Sequence, residues 1–210
     1  MESGQEMLQE WWNKYGLPLS DGMEQRNIIN LCAIRLDLGD KRSASCCNPQ
    51  FEEKGPVVNA KGILKSAETV LVIDWPSKEV PELLARAGLN VVVRGGSGSE
   101  DYSIYEITGE VDNGAVTERH TGRSPERADL IYSYRPLSEL PGIIAAAKEL
   151  GAKTIWYQSG VTATGGKNPK GCWVAEEELT LARNLVEAAG LHFITKPYIG
   201  HVAQKIRVAG

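Results

Sequence analysis

The sequence predicts an α/β fold: a Rossmann-like, doubly wound and mainly parallel sheet, with an inserted β-hairpin and an N-terminal helical extension. Three observations lead there. From Lys61 onward short β-branched runs alternate with longer amphipathic stretches, the pattern of strand and crossover helix in a parallel sheet. Between Tyr102 and His120 two loosely alternating runs flank Asp112-Asn113-Gly114, a hairpin signal because Asn-Gly accepts positive φ. Before Lys61 neither pattern occurs, and only helical spacing is seen.

In that first part Gln5 to Tyr15 places Met7, Leu8, Trp11, Trp12 and Tyr15 at helical spacing, and Met23 to Leu36 does so with Ile28, Ile29, Leu31, Cys32 and Ile34. Residues 1–58 are therefore expected to form a helical extension packed on a main domain of residues 59–210. A helix carrying Leu8, Trp11 and Tyr15 on one side more often buries them than offers them to a partner.

Val70 to Ile73 suits a strand buried on both faces. Asp74, Trp75, Pro76 and Ser77 follow, with Ser77 placed to cap a helix that carries Val80, Leu83, Leu84 and Ala87 and ends at Gly88. Asn90 to Val93 is the second strand, and a right-handed crossover puts it beside the first. Further strands are expected at Asp129 to Tyr134, Thr154 to Tyr157 and His192 to Thr195, with helices near Ser138 to Leu150 and Ala175 to Ala189 stopped by Gly151 and Gly190.

Composition limits the function classes. The chain has 210 residues, 42% hydrophobic and 24% charged, within the range of folded globular proteins. Its formal charge of -4 gives no basic field for a phosphate backbone or an anionic membrane, so neither nucleic acid nor membrane is an expected partner. No apolar run reaches the roughly 18 to 20 residues of a membrane span, and Met1 to Glu10 is polar and acidic, so a cytoplasmic protein is expected. Four cysteines are too few for a disulfide framework. Adjacent Cys46 and Cys47 chelate one tetrahedral ion poorly, even with Cys32, and no metal site is expected.

In an open doubly wound sheet the ligand crevice lies outside the carboxyl ends of the strands, where the strand order reverses. The loops there hold the candidate binding residues: Ser77, Arg94, Gly95 and Gly96, Tyr134-Arg135-Pro136, and Gln158-Ser159-Gly160. Arg94 ends the second strand, where dinucleotide-binding sheets commonly place an acid on ribose hydroxyls. A guanidinium there favours a ribose phosphate, which suits CoA or NADP better than NAD. The glycines after it expose backbone N–H groups to a phosphate or simply turn the chain into the hairpin. Arg135, between Tyr134 and the stiff Pro136, has the chemistry to pair with a pyrophosphate or with a surface carboxylate. Gln158, Ser159 and Gly160 add hydrogen-bonding groups and a point of close approach, as a turn also would. Lys153, Lys167 and Lys170, with Gly165-Gly166, form a small basic loop or a solvated one. None of His120, His192 and His201 lies in a nucleophile elbow or at metal-ligand spacing, so no catalytic residue is expected.

Ala60 to Ile194 resembles the small CoA-binding domain family, related to the CoA-binding part of succinyl-CoA ligases and acyl-CoA synthetases. Gly62-Ile63-Leu64 is similar to its lead-in, and Ser77, Val80, Leu84, Gly88 and Val91 to its first helix and second strand. Asp129-Leu130-Ile131 with Tyr134-Arg135-Pro136 is similar to its central strand and arginine-proline turn. Gly151-Ala152-Lys153, Trp156-Tyr157-Gln158-Ser159-Gly160, and Ala182 with Ala188-Ala189-Gly190-Leu191 resemble its last strands and the helix between them. The resemblance implies a Rossmann-type fold and a CoA or acyl-CoA ligand held without turnover, with Arg94 and Arg135 on phosphates.

Two departures set this chain apart. The family's first loop is longer and has a glycine that admits a phosphate; here Asp74-Trp75-Pro76 stands instead, and a carboxylate repels a pyrophosphate. The hairpin also lengthens the segment between Arg94 and Asp129, to cover the site, replace an edge strand or form a contact. Two further readings follow: an NADP-dependent oxidoreductase, with Tyr134 or Asp74 as its proton donor, and a regulatory or partner-binding module whose nucleotide site Asp74 and Trp75 have closed. The hairpin and a pI near 5.5 are compatible with a monomer or a homodimer.

Overall fold

The computed structural model describes residues 59–207 apart from 75–77, 96–100, 109–113, 163, 165, 169 and 170. The helices expected at 5–15 and 23–36, the Trp11-Trp12 pair and Cys32, Cys46 and Cys47 lie outside the described residues, as do Trp75, Pro76, Ser77 and Gly96 to Ser99.

Seven strands form one sheet: β1 (Thr69–Ile73), β2 (Asn90–Arg94), β3 (Tyr102–Thr108), β4 (Ala115–His120), β5 (Leu130–Ser133), β6 (Thr154–Tyr157) and β7 (His192–Ile194). Their order is β4-β3-β2-β1-β5-β6-β7. β2, β1, β5, β6 and β7 are parallel neighbours, whereas β3 runs antiparallel to β2 and to β4. The fold is thus the predicted α/β sheet, mostly parallel, and the inserted hairpin forms one edge of it.

β1, β5 and β6 are buried on both faces, and their alternate residues serve opposite layers. Val70 and Val72 of β1 point into one core with Val91, Val93, Leu130, Tyr132 and Trp156. Leu71 and Ile73 point into the other with Val92, Ile131, Ile155 and Phe193. Five helices cover them among the described residues: α1 (Ala60–Ser66), α2 (Glu79–Arg86), α3 (Leu140–Glu149), α4 (Glu176–Ala188) and α5 (Ile199–Arg207). Leu64 of α1, Val80 and Leu84 of α2, and Ile199 and Val202 of α5 close the first core; Leu140 and Ile143 of α3 and Ala182 and Val186 of α4 close the second. Among the described residues no helix is long and apolar enough to cross a membrane.

The helix stops fall where the glycines predict. Gly88, Gly151 and Gly190 take positive φ, and the N–H after each reaches back to close the last turn, as Leu89 does to the Leu84 carbonyl. The start of α2 differs from expectation. It begins at Glu79 with Lys78 in the cap position and no side-chain capping bond, so the chain needs five residues after β1 before it turns helical. α1 and α5 go beyond the sequence expectation; Asn59 caps α1 by accepting the Gly62 N–H at 2.9 Å.

Candidate functional site

The strand order reverses between β1 and β5, which leave their neighbours β2 and β6 on either side, so the crevice rule points to the carboxyl ends of these strands. The register aligns Ile73 with Arg94 on β2 and with Ser133 on β5. Asp74 then continues the sheet by one rung, its N–H donating to the Arg94 carbonyl at 2.9 Å. Asp74 has φ of 52°, the left-handed region, and is the one non-glycine residue there among the described residues. The chain therefore turns sharply as it leaves β1.

The Asp74 carboxylate faces Arg135, which follows β5. Arg135 Nη1 donates to Asp74 Oδ2, while Nε donates to Glu139 Oε2 at 2.8 Å and Nη2 to Glu139 Oε1. The arrangement is a fork on Glu139 with a second carboxylate at its side. These contacts raise the Arg135 guanidinium further above its ordinary value, the Glu139 bond being the largest cause and the Asp74 bond the next. Of the two partners the sequence allowed Arg135, the structure holds it on carboxylates. Its own N–H rests on Ser133 Oγ at 3.2 Å, and Pro136 leads into a 3₁₀ turn, Leu137–Glu139, that delivers Glu139.

Arg94, on the neighbouring strand end, is half-buried and makes no ion pair among the described residues. Its Nε is buried without a hydrogen-bond partner. An orphaned donor of this kind is costly to leave dry, and an oxyanion is one of the acceptors able to satisfy it. Gly95 is exposed beside it, and a Cβ there would meet open space; Gly96 and Ser77 lie outside the described residues.

Gln158, Ser159 and Gly160 lie at the same rim but are engaged by the protein itself. Gln158 is buried, and its amide donates to the Thr195 and Pro197 carbonyls at 3.0 Å each while its oxygen accepts the Ile199 N–H at 3.0 Å. It thereby ties β6 to the turn that enters α5. Ser159 Oγ donates to the Tyr134 carbonyl at 2.9 Å, joining the ends of β5 and β6. Gly160, at φ of 71°, is approached by the chain's own backbone: a Cβ there would lie 2.4 Å from the Trp173 nitrogen. The Tyr134 ring is buried, which raises its phenol, against the opposing effect of hydrogen bonds with the Asn168 side chain and the Gly160 backbone.

The loop after Gly160 carries a feature the sequence reading passed over. Trp173 is 49% exposed, the one large apolar side chain so exposed among the described residues, and Lys167 Nζ sits 3.4 Å from its ring centroid. The signal was a single tryptophan in a glycine- and proline-rich loop. All three histidines are exposed, and Lys153 lies at the opposite edge of the sheet, leading into β6.

A family model described as CoA binding domain matches residues 73–197, more than half of the chain. The chain belongs to the CoA-binding domain family. Within this CoA-binding domain the match begins at the last residue of β1 and closes at Pro197, so it takes in every rim loop: Asp74, Arg94-Gly95, Tyr134 to Pro136 and Gln158 to Gly160. The lead-in at 62–64 falls outside it, and so do α1 and α5. No curated protein and no solved structure matches the chain. The residues present fit a CoA-type ligand at Arg94, whose buried Nε lacks an acceptor, and oppose its phosphates at Asp74 and Glu139.

Proposed function

We propose that this CoA-binding domain binds CoA or an acyl-CoA across the carboxyl ends of β1, β2 and β5 and holds it without turnover. The observation that carries the proposal is the coincidence of the family match with the switch point: the matched segment runs from the end of β1 past the ends of β2, β5, β6 and β7. Arg94 is assigned to a ligand phosphate through its Nε, which has no acceptor in the protein, whereas the Gly95 N–H already donates to the Asp101 carbonyl at 3.1 Å. Arg135 and Pro136 form the opposite wall. Tyr134, Gln158, Ser159 and Gly160 give the crevice its shape, since their polar groups already hold the backbone of the rim. Binding without turnover agrees with a rim whose Gln158 and Ser159 side chains are engaged by main-chain groups.

The test is isothermal calorimetry with CoA, acetyl-CoA, NAD and NADP, repeated with Arg94→Ala. Saturable binding of the CoA species alone, weakened at least tenfold by Arg94→Ala, is the expected result. Binding of NADP alone would replace this proposal with the dehydrogenase reading. No binding of any of the four would favour the closed-site module.

A further inference from the structure

The Asp74–Arg135 pair joins the ends of two central strands, and it is made from a residue whose backbone is in the left-handed region. Asp74 adopts the left-handed conformation that glycine takes freely and that aspartate and asparagine enter more readily than other L-residues. A non-glycine residue held there at the end of a central strand is uncommon, and here the position of its carboxylate is what matters. The bend occurs on the last rung of β1 and accompanies a carboxylate directed at the guanidinium of the next strand.

The two carboxylates on Arg135 are not equivalent. Glu139 is four residues on, is delivered by the same short turn, and grips the guanidinium with both oxygens, so it fixes the pose. Asp74 comes from 61 residues away and uses one oxygen on one nitrogen. Both pairs are more than a third exposed on at least one side, and ion pairs so open to water contribute little to folding. The Asp74 contact is therefore exchangeable, whereas the Glu139 fork keeps the guanidinium in place for whatever replaces it. With both carboxylates ionised the cluster carries a net negative charge; without Asp74 it is neutral and offers free N–H groups to an anion.

We propose that the Asp74 carboxylate is an internal occupant of the anion site on Arg135, so that an anionic ligand enters the β1/β5 edge by displacing it. The proposal rests on the CoA-binding reading for its natural ligand, but not for its test. Asp74 sets a threshold: a single weak anion is refused, while a ligand with several phosphates, anchored elsewhere in the crevice, prevails. Arg135 is thus a binding residue masked in the free protein, and Asp74 the residue that determines which anions unmask it.

The experiment measures binding of CoA and of inorganic pyrophosphate to the wild-type chain, Asp74→Asn, Glu139→Gln, Arg135→Gln and the double variant Asp74→Asn/Arg135→Gln. Asparagine keeps the shape and tolerates the left-handed backbone; Asp74→Gly, which relaxes it, stands in if the asparagine variant does not fold. The expected result is about tenfold tighter binding of both probes by Asp74→Asn, with the gain absent in the double variant and not reproduced by Glu139→Gln. If CoA binds the wild type and Asp74→Asn equally, or the variant more weakly, the proposal is overturned and the CoA reading survives. If CoA binds neither but Asp74→Asn gains pyrophosphate through Arg135, the proposal stands and the CoA reading falls. A gain that persists without Arg135, an equal gain from Glu139→Gln, or no gain with either probe overturns it.

Discussion

An aspartate meets an arginine at both ends of the β1–β5 seam, and the two meetings are built differently. At the amino-terminal edge Asp129 Oδ2 accepts the N–H groups of Glu68 and Thr69 at 2.9 and 3.0 Å, and Oδ1 accepts Arg127 Nη2 at 2.8 Å. Its own N–H donates to the Thr69 carbonyl, so the residue is both a rung of the ladder and a clip on the neighbouring strand. At the carboxyl edge the Asp74 N–H is likewise a rung, on the Arg94 carbonyl, but among the described residues its carboxylate is held by a side chain. The difference is one of replaceability. A carboxylate satisfied by main-chain amides is part of the sheet; one satisfied by another side chain yields to a better anion.

The comparison is broken most severely at Gln158, which lies on the ligand edge but is satisfied entirely by main-chain groups. Gln158→Leu should cost about 3 kcal/mol, because the Thr195 carbonyl and the Ile199 N–H lose their buried partner, and urea denaturation reads this directly. An unchanged midpoint would return Gln158 to the ligand. Asp129→Ala should cost about 1.5 kcal/mol, with CoA affinity unchanged within twofold, because its amides lie partly in water.

The same residue gives the comparison a pH axis. Burial pushes the Asp129 carboxyl up, but the amides of Thr69 and Glu68 and the Arg127 guanidinium outweigh it and hold it below its ordinary value of 3.8. A lowered folded value means that the unfolded chain takes up the proton first. The stabilisation is therefore complete above the ordinary value and fades as pH falls through the lowered one, so wild type and Asp129→Ala should converge in acid. A constant gap down to pH 2 would show that the lost contact is not ionic.

Smaller effects belong to exposed pairs. Asp74→Asn should shift stability by less than about 1 kcal/mol while changing anion affinity tenfold, the reverse of Asp129→Ala. Removing the Arg119–Glu106 pair of the hairpin, by Arg119→Ala, should leave the thermal midpoint and the ligand affinity where they are, since both side chains stand in water on an edge ladder. A drop in either would mean that the hairpin edge is covered by something in solution.

The sequence displayed the frame of this structure because its signals are local. β-branched runs such as Val91-Val92-Val93, the glycine stops and the hairpin all follow from neighbours within a few residues. α5 was legible in principle, for Ile199, Val202, Ala203 and Ile206 share one side, yet it begins right after Pro197 and offers no capping signal. The candidate site divides in the same way. The rim residues could be enumerated from strand ends, but whether each faces a ligand depends on partners far along the chain. Gln158 finds its acceptors at Thr195 and Pro197 and Arg135 its second carboxylate at Asp74, pairings set by topology and not by spacing.

The hairpin beside β2 also affects the order in which the sheet is assembled. β2, β3 and β4 follow one another through short connections, and local antiparallel pairing of that kind forms in about 1–10 μs. The β1–β5 seam must instead bring Val70 to Leu130 across the whole intervening chain, a closure that costs entropy before it returns any contact. By this entropy argument the seam is expected to close last, and a ligand bound over it would act as a staple on that junction. Its kinetic mark is a slower unfolding rate, with folding itself left at the pace of the bare chain.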